Sequence, residues 1–118
     1  MVTIDLFRNE TDTLTYAPGQ VIFSEGDAAR AMYVVIEGQV DLSIKGRTVD
    51  QLGPGGVFGE MALIDAAPRI AAAIAASACK VVAVDEKRFK FLVQQTPHFA
   101  LQLMRVITDR LRRMDERL

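Results

Sequence analysis

The sequence predicts a mainly β domain with flanking helices: a double-stranded, jelly-roll-like antiparallel β-roll followed by two C-terminal α-helices. Three observations carry this. All eight glycines lie between positions 19 and 59, and glycine punctuates the turns between short strands. The apolar runs of that half follow one another with no helix-length segment between them, so the crossovers of a parallel sheet are missing. Beyond position 85 the apolar spacing changes from two to three and four, the period of a helix. A chain of 118 residues makes one domain of this kind, 1–118, with the roll over about 12–85 and the helices over about 86–95 and 97–118.

The elements can be taken in order. The first dozen residues say little; Ile4, Leu6 and Phe7 form a short strand or a helical turn packed on the domain. Strands are predicted at 14–16 and 21–23, separated by Pro18-Gly19 and followed by the turn signal Glu25-Gly26-Asp27. Residues 31–37 are a β-branched and aromatic run closed by Gly38. Val40, Leu42 and Ile44 alternate with Asp41, Ser43 and Lys45, the period of a half-buried strand. Lys45-Gly46 then turns the chain into a return strand at 48–52. Further strands are expected at 70–76, where the alanines leave the assignment ambiguous, and at 80–84. Asp85 supplies an N-cap for a helix over 86–95 with Phe89, Leu92 and Val93 on one face. Thr96-Pro97 marks a break, because proline suits the first position of a new helix.

Composition excludes several classes of function. Half the residues are hydrophobic, a quarter are charged and the net charge is −1, which gives no global attraction to nucleic acid or anionic lipid. No apolar run is long enough to span a bilayer, and the start MVTIDLFRNE lacks the layout of a signal peptide. The single cysteine, Cys79, cannot close an internal disulfide, so a reducing cytoplasm is the expected compartment. One histidine, His98, cannot build a cupin-type metal centre, and one cysteine cannot hold an iron–sulfur cluster. Ser24, Ser43 and Ser77 have no histidine to activate them, so neither an enzyme nor a cofactor or metal is expected.

The stretch 55–72, GGVFGEMALIDAAPRIAA, has the makings of an anion pocket. The first N–H groups of a helix have no intrahelical partner and sit at the positive end of its dipole. Gly59 lies where the short helix-prone run 60–64 begins, and it allows an anion to approach the backbone. Arg69 adds a planar, permanently charged fork suited to phosphate oxygens. Glu60 would repel a phosphate, so its useful role is to accept from a sugar hydroxyl. The alternative for Arg69 is an ion pair with Glu60 or Asp65 that holds the loop closed.

The last helix carries a heptad seam: Ala100, Met104, Ile107, Leu111, Met114 and Leu118. Up to Ile107 a second set, Phe99, Leu103 and Val106, widens the apolar face, as expected for a helix that also packs on its own domain. Beyond it only the seam remains among charged residues, which read as the solvated flank of a coiled coil. The seam predicts a homodimer, the alternative being a helix folded back across its own domain.

FGEMALIDAAPRIAA, preceded by the glycine-punctuated strands YAPGQVIFSEGD and MYVVIEGQV, resembles the phosphate-binding cassette of the cyclic nucleotide-binding domain family. That family includes catabolite-activator-type regulators, regulatory subunits of cyclic-AMP-dependent kinase and cyclic nucleotide-gated channels. The resemblance covers nearly the whole chain and implies an antiparallel β-roll flanked by helices. It implies Glu60 on the ribose 2′-hydroxyl, Arg69 on the cyclic phosphate, backbone N–H groups around Met61 and Ala62 on the phosphate oxygens, and Gly59 at the tight turn. Phe58, Ile70 and Ala71 complete the implied ligand-binding set. Where the family commonly has alanine, serine or threonine, this chain has Ile70; a hydroxyl there is associated with reading guanine, which points to cyclic AMP. The expected function is a cyclic nucleotide sensor that signals through its C-terminal helices to an effector protein the sequence does not identify. With the sequence ending at Leu118, no DNA-reading element is expected. The bulk of Ile70 supports the alternative, a domain that keeps the fold but has lost nucleotide binding and serves for dimerisation or docking.

Overall fold

Eight short strands and three helices follow one another along residues 3–116, the part of the chain described by the computed structural model. They are β1 (Leu14–Tyr16), β2 (Val21–Phe23), β3 (Ala31–Glu37), β4 (Val40–Ile44), β5 (Arg47–Leu52), β6 (Val57–Phe58), α1 (Met61–Asp65), β7 (Ala72–Ala75), β8 (Cys79–Asp85), α2 (Glu86–Gln95) and α3 (Pro97–Glu116). All pairings are antiparallel, in two four-stranded sheets of order β1-β8-β3-β6 and β2-β7-β4-β5. This is the expected β-roll with helices at its C-terminal end.

The first sheet is apolar on both faces, and that explains the near-continuous hydrophobic runs of β3 and β8. Met32 and Val34 of β3, with Val82 and Val84 of β8, pack against Phe99, Leu103 and Val106 of α3 and against Ile4 and Phe7. The alternate residues, Val35 of β3 with Cys79 and Val81 of β8, face Phe23, Val40, Leu42, Leu52 and Ala73 of the second sheet. The roll therefore has two cores, one between the sheets and one beneath the helices. Residues 6–9 form a turn, with Ile4 and Phe7 buried and Leu6 exposed.

Three expectations need adjustment. The two-residue strand β6, inside the glycine-rich stretch, was not expected; it pairs Val57 with Val34 and Phe58 with Tyr33. The strand expected at 70–76 is shortened to Ala72–Ala75, because Arg69 is bound to the turn after β2 and Ala76 N–H donates to the Gln39 carbonyl outside the ladder. In α2, Phe89 and Leu92 pack on the core, but Val93 is exposed. The expected caps hold: Asp85 accepts from the Arg88 N–H at 2.8 Å, and Pro97 opens α3.

Candidate functional site

Strand β6 delivers the chain to the site, and Gly59 makes the turn into α1 with φ +79°. A side chain at Gly59 would lie 2.5 Å from Arg69 Nη1, so the position is closed to other residues by conformation and by space. Glu60 is the N-cap of α1 in helical conformation, yet its carboxylate makes no capping bond. The N–H groups of Leu63 and Ile64 donate to the Glu60 carbonyl at 3.1 and 3.3 Å, while those of Met61 and Ala62, at the start of the helix, have no intrahelical acceptor.

Arg69 is 6% exposed and fixed at both ends. Its backbone is tied to the turn after β2: Gly26 N–H donates to the Arg69 carbonyl at 2.7 Å, and Arg69 N–H donates to the Asp27 carbonyl at 2.9 Å. The Asp27 carboxylate in turn accepts from the Ser24 N–H. The guanidinium donates to the Gly59 carbonyl at 2.8 Å and the Ala31 carbonyl at 2.5 Å, while Nε–H is buried without a partner. It lies 4.1 Å over the ring of Phe23 and 5.7 Å from that of Tyr33, a cation–π contact that offsets part of its desolvation. Phe23, Tyr33 and Phe58 form one aromatic cluster beneath it. Burial pushes the Arg69 pKa down, against the raising effects of Tyr33, Glu60 and Asp27; an arginine so placed remains a cation. No ion pair joins Arg69 to Glu60 or Asp65 among the described residues, so the loop-closing salt bridge is not what holds it.

The partner of Glu60 is on the last helix. Glu60 is 1% exposed, and its Oε1 accepts from Arg110 Nη1 at 2.6 Å. Arg110 also donates through Nε to Asp50 Oδ2 at 2.9 Å and through Nη2 to the Val57 carbonyl. Arg113 donates to both oxygens of Asp50 at 2.5 and 3.1 Å. Glu60 Oε2 has no partner, although buried carboxylate oxygens are almost always satisfied.

This arrangement corrects the reading of α3. Past Ile107 the helix does not leave the domain: Arg110 and Arg113, expected in a solvated flank, are 12% and 28% exposed at the side chain and dock on β5 and β6. Charge does there what apolar residues do in the first half of the helix, which is why hydrophobic spacing missed it. Of the seam, Ala100, Ile107 and Met114 are half-buried, and Met104 and Leu111 are exposed. Leu118 lies outside the described residues.

A cavity of about 120 Å³ is lined by Gly59, Glu60, Met61, Ala62, Arg69, Ile70 and Ala71. The structure therefore brings together all but one of the residues singled out from the sequence. The exception is Phe58, which is fully buried in the aromatic cluster behind the wall. Phe23, Leu42, Ile44 and Val49 from the strands and Arg110 and Met114 from α3 also line the cavity, and none of these had been assigned to it. Ile70 is 57% exposed and stands at the rim without filling the space. Among the described residues there is no cluster suited to a metal ion, and no helix is long and apolar enough to cross a membrane.

A buried arginine and a buried glutamate at a glycine turn, on a β-roll, define a class, and comparison with known proteins agrees. The family model of the cyclic nucleotide-binding domain matches residues 13–96. The chain belongs to the cyclic nucleotide-binding domain family. It is 33% identical over 117 residues to the Cyclic AMP receptor protein of Thermus thermophilus, covering 95% of this chain and 54% of that protein. It is 37% identical over 85 residues to a cAMP-dependent protein kinase regulatory subunit of Eremothecium gossypii, covering 72% of this chain and 19% of that protein. The crystal structure of the Thermus thermophilus Catabolite Activator Protein superposes with a TM-score of 0.80 at 31% identity, over 97% of this chain and 61% of that one. The chain thus spans about half the length of the first of these relatives.

Proposed function

We propose that the chain is a cytoplasmic sensor domain that binds a cyclic nucleotide, cyclic AMP in preference to cyclic GMP, and has no catalytic role. The observation that carries this is Glu60 Oε2, a buried carboxylate oxygen with no partner, in the wall of the cavity that Arg69 also lines. A ribose hydroxyl donating to Oε2 would satisfy it. Arg69 would take the cyclic phosphate with its free Nε–H, together with the N–H groups of Met61 and Ala62. Leu42, Ile44, Val49, Ile70 and Met114 offer the base an apolar surface. The names of the relatives, a cyclic AMP receptor protein and a cAMP-dependent kinase regulatory subunit, point to cyclic AMP.

Binding is read out by a shift in population. Arg110 touches Glu60 and Met114 lines the cavity, so a ligand that engages the cavity differs in its contacts with α3 between docked and undocked helix. Met104 and Leu111 on the exposed part of the seam then offer α3 to a second copy of the chain or to an effector. Calorimetric titration with cyclic AMP and cyclic GMP tests the ligand, and absence of heat for both at hundreds of micromolar refutes it. Arg69→Ala is expected to lower affinity by about 10- to 100-fold, one charge-assisted phosphate bond being lost. Circular dichroism verifies that the variant is folded; undiminished affinity in a folded variant would show Arg69 to be structural only.

A further inference from the structure

Resting on the reading of Glu60 as the ribose ligand, we propose that Asp50 is a positioning residue for ribose recognition, acting on Glu60 through Arg110. Asp50 lies on β5, is 1% exposed and does not line the cavity. Its carboxylate is saturated: Oδ1 accepts from Arg113 Nη1 at 2.5 Å and from the Gln51 N–H at 3.0 Å, and Oδ2 accepts from Arg110 Nε at 2.9 Å and Arg113 Nη2 at 3.1 Å.

The consequence for the site follows from the planarity of guanidinium. Arg110 is held at three points, Asp50 by Nε, Val57 by Nη2 and Glu60 by Nη1. With the first two fixed, the direction of the third N–H is fixed as well. Asp50 therefore decides where Arg110 grips Glu60, which oxygen it occupies and which is left for a hydroxyl. It also balances charge. Two buried anions, Asp50 and Glu60, meet two cations of α3, Arg110 and Arg113. Without the charge of Asp50, Arg113 keeps Asp109 at 3.2 Å, while Arg110 is left with Glu60 as its one carboxylate partner and without its Nε anchor; free to turn, it draws Oε2 into an arginine bond in competition with ribose.

Asp50→Asn tests this with cyclic AMP and its 2′-deoxy analogue, which lacks the hydroxyl. A hydrogen bond to a carboxylate makes the wild-type domain prefer cyclic AMP by about 10- to 100-fold. In Asp50→Asn the preference is expected to fall to about threefold or less, with affinity for the deoxy analogue changed by less than about threefold. Arg110→Lys, whose ammonium cannot span three acceptors, should lose the preference in the same way, and it decides the matter if Asp50→Asn does not fold. Equal weakening for both nucleotides in the folded variants overturns the proposal, because Asp50 would then support the site only as a whole. A wild-type domain that binds neither nucleotide refutes the underlying function. One that binds both equally refutes the role of Glu60.

Discussion

Replacing Gly59 by alanine tests how firmly the structure holds Arg69. Two costs are expected. The left-handed backbone at φ +79° is unfavourable for an L-residue by about 1–2 kcal/mol. The new methyl group would also stand 2.5 Å from Arg69 Nη1 and push it off the Gly59 carbonyl, a charge-assisted bond of about 1.5–3 kcal/mol. Gly19→Ala is the control, because its φ is +83° and nothing lies within 4 Å of the added carbon. Urea unfolding should therefore show a loss of about 1–2 kcal/mol for Gly19→Ala and about 3–4 kcal/mol for Gly59→Ala. Nucleotide affinity should fall only in the second. Equal losses, with affinity intact, would mean that Arg69 moves aside freely and that its two carbonyl anchors do not set its position.

Other outcomes are expected. Ala66, the C-cap of α1, has φ 53°, so Ala66→Gly should raise stability by about 0.5–1 kcal/mol, seen as a higher melting temperature. Burial raises the Cys79 pKa above 9.0, so the unfolded chain loses its thiol proton first as pH rises. Stability is then unaffected well below 9.0, falls between 9.0 and the raised folded value by at most about 1.4 kcal/mol per pH unit, and levels off above it; unfolding curves of Cys79→Ala between pH 8 and 10 should lose this component of the slope. Leu111 is 59% and Met104 62% exposed, and if α3 pairs with a second copy, Leu111→Glu should reduce the particle mass measured by light scattering. A wild-type chain that is monomeric at high concentration would remove the pairing itself.

Much of this was legible in the sequence, for physical reasons that differ between elements. Strands β3, β4 and β8 announce themselves by β-branched runs and alternation, and α2 by its Asp85 cap. Strand β6 did not, because two residues between Gly56 and Gly59 carry no period to detect; only the partner strand β3 makes Val57 and Phe58 a strand. The cassette residues were found because glycine, glutamate and arginine at that spacing are chemically unusual. The residues of the cavity that come from strands and from α3 were invisible, since they are neighbours in space alone. One signal was available for the docking of α3. Asp50 stands two residues before the buried Leu52, so strand alternation puts an acid on the inward side. An inward carboxylate calls for a buried cation, and Arg110 with Arg113, one turn apart on α3, supply it.

The position of those arginines has a consequence for solubility. Strands β5 and β6 are each the last of their sheet, and an open edge invites another chain to pair with it. Arg110 closes off the Val57 carbonyl of β6, so α3 covers part of that edge as it closes over the site. Any state that lifts α3 away would bare that carbonyl at the β6 edge, and a version of the chain cut before Arg110 is expected to aggregate where the full chain stays dispersed.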